Sequence, residues 1–113
     1  MIDKEQILHY EIADTVLVNL VKLAAMEVSG VVGVSTSLRA CFNGQRARGI
    51  TVIQTDAGLA VDIHIIAYYG ENLERLAVQV QQIIGNRLRT MIEPKELHIN
   101  VTIEDLILRP KII

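Results

Sequence analysis

The chain has 113 residues and a mass of 12.6 kDa, room for one core and not for two. Half of its residues are hydrophobic but only 4% are aromatic, so the core has to be built from Val, Ile, Leu and Ala, and platforms for stacking bases or sugars are scarce. With 11 Lys and Arg against 13 Asp and Glu, a net charge of −2 and a pI near 5.9, it exerts no overall pull on nucleic acid or an anionic membrane.

Met1-Ile2-Asp3-Lys4-Glu5 is polar and unlike a signal peptide, and no apolar run approaches the ~20 residues of a membrane span. The single cysteine, Cys41, cannot make an internal disulfide, which fits a reducing, cytoplasmic setting. Residues 7–12 have mixed periodicity and read as a short strand or an extended lead-in. Asp14 stands at an N-cap position, and Leu17, Leu20, Val21, Ala24 and Val28 follow at helical spacing up to Gly30, predicting a helix over 14–29. Its apolar arc spans about 220°, wider than the stripe a helix needs to lie on one sheet face. Only Thr15, Asn19 and Lys22 form a continuous polar wedge.

Residues 31–36 read as a short edge strand and 37–48 as the longest loop. Residues 49–55 and 59–69 are predicted strands joined by Asp56-Ala57-Gly58, a three-residue hairpin with glycine at the left-handed position. In the second of them Val61, Ile63, Ile65 and Ala67 alternate with Asp62, His64, Ile66 and Tyr68, giving one buried and one mixed face. Asn72 caps a second helix over 72–92, whose inner face is Leu73, Leu76, Ala77, Val80, Ile83, Ile84, Leu88 and Met91, a stripe of about 140°. Glu71 and Arg75 are spaced to pair along it, and Pro94 follows its end. Leu97, Ile99, Val101 and Ile103 alternate with polar residues in a last strand over 97–107. The order of elements predicts an α+β fold: a small mixed sheet of three to five strands with two helices packed on one face, in a single domain over 1–113 with a lead-in at 1–6 and a tail at 109–113.

Chemistry-bearing residues are few. His64 and His98 are expected on one side of the sheet with Asp62 and Glu104, a set able to hold a metal or to run acid/base catalysis. Neither histidine sits in a dense ligand motif, and the reading is a solvated sheet face. Cys41 lies beside Arg39 without a neighbouring histidine to act as base, and reads as an incidental or structural thiol. The loop Gly44-Gln45-Arg46-Ala47-Arg48-Gly49 lacks the Lys-Ser/Thr ending of a phosphate loop and precedes a strand rather than a helix. Arg39, Arg46 and Arg48 are retained as candidate anion or nucleic-acid contacts. Arg87 falls within the apolar stripe of the second helix, where it snorkels or pairs with a carboxylate. No catalytic, metal or cofactor-binding residue is assigned.

The chain resembles the alkaline shock protein family, the envelope stress response proteins of Gram-positive bacteria. The carriers are Glu11-Ile12-Ala13, Ala25-Met26-Glu27-Val28-Ser29-Gly30-Val31, Arg48-Gly49-Ile50, Val61-Asp62-Ile63, Tyr69-Gly70, Val80-Gln81, Met91 and Ile99-Asn100-Val101-Thr102-Ile103. It departs from the family pattern at Ile92-Glu93-Pro94-Lys95-Glu96-Leu97, where Thr-Gly-Leu is usual, and at Arg87, where a small residue is usual. The resemblance implies a non-enzymatic, cytoplasmic, stress-linked protein without a cofactor, which assembles with itself or reaches the inner face of the membrane through a membrane-anchored partner.

Two functions compete. The leading one is an interaction module whose surplus apolar surface on the first helix docks a partner or another copy, with Val18, Ala25 and Met26 as the interface, Val16 beside them and Val18 the most discriminating site. The alternative cover for that surplus is the long loop or the N-terminal segment. The runner-up is a small nucleic-acid-binding module using the basic loop 39–48.

Overall fold

The computed structural model describes residues 10–35 and 49–111. Through them the chain runs α1 (Asp14–Met26), β1 (Val31–Val34), β2 (Ile50–Thr55), β3 (Gly58–Tyr68), α2 (Leu73–Met91) and β4 (Leu97–Ile107). His9, Arg39, Cys41, Arg46, Arg48 and the loop over 36–48 lie outside the described residues.

The sheet is organised around β3. β4 runs parallel along one edge of it, from Leu59↔Leu97 to Tyr68↔Ile107. β1 and β2 share the other edge, both antiparallel to β3: β2 lies against Gly58 to Ile63, and β1 against Ile65 to Ala67. They meet at His64, whose carbonyl accepts the Ser35 N–H and whose N–H donates to the Gly49 carbonyl, both at 2.7 Å. β1 and β2 are therefore one edge strand in two pieces, with residues 36–48 connecting two points on either side of His64. Gly49 takes φ +79° there, against the Ser35 carbonyl, a conformation and a closeness that favour glycine.

The side-chain alternation of β3 decides where the core sits. Leu59, Val61, Ile63, Ile65 and Ala67 are buried, while Asp62, His64, Ile66 and Tyr68 on the opposite face are half-exposed. Both helices cover the first face: α1 buries Leu17, Leu20, Val21, Ala24 and Ala25, and α2 buries Leu76, Val80, Ile84, Gly85 and Leu88. The parallel pairing of β3 with β4 requires a crossover, and α2 supplies it. This is the α+β arrangement of two helices on one face of a mixed sheet that the residue pattern predicts.

Several local expectations need correction. Asp14 is not the cap of α1. The N-cap is Ala13, without a side-chain bond, and Asp14 instead accepts the Gln54 side-chain amide at 2.7 Å, tying the helix start to β2. α1 stops at Met26 rather than at residue 29, because the Glu27 and Val28 N–H groups turn back onto the Ala24 and Ala25 carbonyls. The hairpin turn is two residues, Asp56-Ala57, closed by the Thr55↔Gly58 pair. Asn72 does cap α2, accepting the Arg75 N–H at 3.0 Å. Glu71 turns away from Arg75 to Arg109, at 3.2 Å, and the Arg109 guanidinium also lies 4.2 Å above the Tyr68 ring. Leu73 and Met91, expected on the inner face of α2, are exposed at its two ends.

Candidate functional site

Two places bring together the residues that sequence reasoning singled out. The first is the open face of the sheet at the junction of β1 and β2. His64 Nδ1 lies 2.8 Å from Glu104 Oε1, and its Nε2 lies 3.6 Å from Asp62 Oδ2. The buried Ser35 hydroxyl donates to the second oxygen of Glu104. Glu104 thus bridges from β4, across β3, to the end of β1. A bulge between the Ile65 and Ile66 register positions adds Glu104 as an extra residue in β4, which frees it from strict alternation.

The residue types are those of a hydrolytic triad, but the connections differ. Ser35 bonds to the carboxylate rather than to the imidazole, so His64 is not placed to take its proton, and the hydroxyl is shielded from solvent. His98 does not join the cluster. It sits beside Ala60, four positions along β3 from His64, and faces Glu96 at 3.9 Å. Among the described residues no group of three or more His, Cys, Asp or Glu is arranged to hold a metal ion. What the cluster does is fasten three strands together at the point where residues 36–48 depart.

The second place is the solvent side of α1 beside α2. Ala25 is fully buried under the helix, which removes it from a docking surface, and Val18 is half-buried and packed against the core. The surplus apolar surface is carried instead by Val16 (52% exposed), Leu23 (60%) and Met26 (44%) on α1, with Met91 (63%) on α2. A groove of about 240 Å³ runs between the helices, lined by Val16, Leu20, Leu23 and Met91 and closed at one end by Glu27 and Arg87. Arg87 clamps Glu27 with two bonds, Nη2 to Oε1 at 2.7 Å and Nε to Oε2 at 3.2 Å, the carboxylate partner that its place in the stripe predicts. Leu23 is the residue that sequence reasoning missed. Projecting α1 at 100° per residue places it within 20° of Val16 and opposite Val21, so the helical wheel holds the signal once the core side is known.

The fold and these surfaces describe a small two-layer α+β domain whose distinctive outward feature is an apolar helix face. The chain belongs to the alkaline shock protein 23 family, of cell envelope-related function, whose family model matches residues 3–108. It is also similar to the uncharacterized protein Spy1614 of Streptococcus pyogenes serotype M6, at 25% identity over 103 residues and 85% of each chain. Among solved structures, it shares its fold with variants of the MamM C-terminal domain. One gives a TM-score of 0.52 at 18% identity, covering 80% of this chain and 94% of that one. A copper form gives 0.53 at 15% identity, covering 82% and 98%. No helix among the described residues is long and apolar enough to cross a membrane.

Proposed function

We propose that the chain is a non-enzymatic interaction module of the cell-envelope stress response, acting by self-association or by docking a partner protein, a membrane-anchored one included. The observation that carries this reading is the exposed row Val16, Leu23 and Met26 with Met91 at its side. Four large apolar side chains grouped on one side of a domain this small form the kind of patch that marks an interaction surface. The family's envelope-related function supports the same reading.

Light scattering with sizing across concentration tests it, together with cross-linking in cells. A mass that rises above 12.6 kDa with concentration, or a specific cross-linked partner, is the expected result. A chain that stays monomeric and cross-links to nothing overturns it. Binding to RNA or DNA that weakens steeply with salt identifies the nucleic-acid function instead.

A further inference from the structure

The groove between the helices continues past the Glu27–Arg87 clamp, and its chemistry changes there. Beyond the clamp lies an open cleft of about 370 Å³, lined by Val28 and Ser29 just after α1 and by Gln79, Gln82, Ile83 and Asn86 on α2. Among the described residues lining it none is charged or aromatic, so it offers nothing to a phosphate or to a stacked base or sugar ring. Val28 and Ile83 are half-buried and packed against the core. Gln79, Gln82 and Asn86 are exposed, and among the described residues their side chains make no hydrogen bond. Projected at 100° per residue, the three fall within about 60° of one another, an unbroken row of amides along one flank of α2.

A side-chain amide carries the same donor and acceptor as a peptide group. This domain already holds backbone with glutamine amides in two places. On the other flank of α2, Gln81 donates to the Ile99 carbonyl of β4 at 3.1 Å, and Gln54 donates to the Ile12 carbonyl ahead of α1 at 3.3 Å. We infer that the row Gln79, Gln82 and Asn86 binds an extended, uncharged peptide segment of a partner protein through its backbone. Gln79 and Asn86 lie about 10.5 Å apart along the helix, a distance that roughly three residues of extended chain span at ~3.3 Å each. Side chains of such a segment alternate, so one rests on Val28 and Ile83 while its neighbours face solvent. Recognition is then of conformation, with loose demands on sequence, and the uncharged lining makes it nearly insensitive to salt. The inference extends the interaction reading to a surface apart from the Val16–Leu23 row, and it does not depend on that row being occupied.

Random linear peptides displayed on phage and selected against the full chain supply the probe. The expected results are peptides whose affinity falls about tenfold in Gln82→Ala, falls further when Gln79→Ala and Asn86→Ala are added, and is unchanged in Gln81→Ala. Methylating single backbone nitrogens of a selected peptide should weaken it similarly at one or more positions, because the methyl group replaces the donor that an amide oxygen accepts. In proton–nitrogen correlation spectra the side-chain amide signals of Gln79, Gln82 and Asn86 are expected to shift on binding. The three side chains are exposed and alanine favours a helix, so the variants retain the fold. Selection of no peptide that depends on the three amides overturns the cleft. Peptides that respond only to Leu23→Glu also overturn it and leave the interaction reading intact. Tolerance of every backbone methyl group overturns backbone recognition, as does chitotetraose shifting the same signals where peptides do not.

Discussion

At Glu104 one carboxylate serves two elements. It accepts from the Ser35 hydroxyl on one oxygen and faces His64 Nδ1 with the other, and its side chain is only 16% exposed. Replacing it takes away a charged acceptor from partners on β1 and β3, so Glu104→Ala is expected to destabilise the fold by about 2 kcal/mol. Urea denaturation measures this, with Asp62→Ala as a contrast. Asp62 is half-exposed and 3.6 Å from the ring, and its loss is expected to cost under about 1 kcal/mol. Sequence placed His64, Asp62 and Glu104 on one sheet face but could not bring in Ser35, because the register of β1 against β3 is set by long-range pairing. Ala25 shows the opposite limit. A small residue next to Met26 in an overly apolar helix reads equally well as core or as interface, and only the orientation of α1 on the sheet decides between them. With Ala25 fully buried, Ala25→Leu is expected to overpack the core and lower stability by about 1–3 kcal/mol, whereas Met26→Ala should leave it nearly unchanged.

The elements themselves were mostly legible. α2 has a capping asparagine and a clear stripe, and β3 alternates without interruption, so period and caps agree along both. Less legible was how each element ends. α2 finishes at Met91, and Glu93 follows with φ +48°, a left-handed conformation that an L side chain adopts at a cost. Glycine occupies such positions freely, and the family's usual Thr-Gly-Leu places one in this region. Glu93→Gly is therefore expected to stabilise the protein by about 1 kcal/mol, visible as a raised thermal midpoint. The outer edge of β4 illustrates a second feature that no local pattern announces. Its Ile99 carbonyl accepts the Gln81 side-chain amide at 3.1 Å, and the Leu106 N–H donates to the neighbouring Asp105 carboxylate at 2.8 Å. These bonds, with the bulge at Glu104, blunt an edge strand of 11 residues that would otherwise invite strand pairing.

On the scale of the molecule, both helices lie on one face of the sheet and against each other, α1 beside β1 and β2 and α2 beside β4, and their buried residues join those of β3 in one core. No part of this core can open without exposing another. We propose that the chain folds as a single domain, and expect far-ultraviolet and tyrosine near-ultraviolet circular dichroism to report one coincident unfolding transition. Two separated transitions would contradict it. The fold class was legible because the burial demand of each stripe is a local property. The exposed apolar surface was legible only in outline, because it is what remains after the core has taken its share. The excess of apolar arc on α1 announced that a remainder exists, and the packing of Val18 and Ala25 assigned that remainder to Val16 and Leu23.

The meeting of β1 and β2 at His64 gives the domain a natural port. Because Ser35 and Gly49 are bonded to the same residue of β3, the connection between them starts and finishes at one spot. The entropy of closing such a connection grows only with the logarithm of its length, about 0.6 kcal/mol per doubling. The port can accept a foreign passenger: a small fluorescent or epitope module grafted between Ser35 and Gly49 is expected to leave the unfolding midpoint in urea nearly unchanged. The same insertion at Asp56-Ala57, where the hairpin fixes the strand register, is expected to lower it sharply.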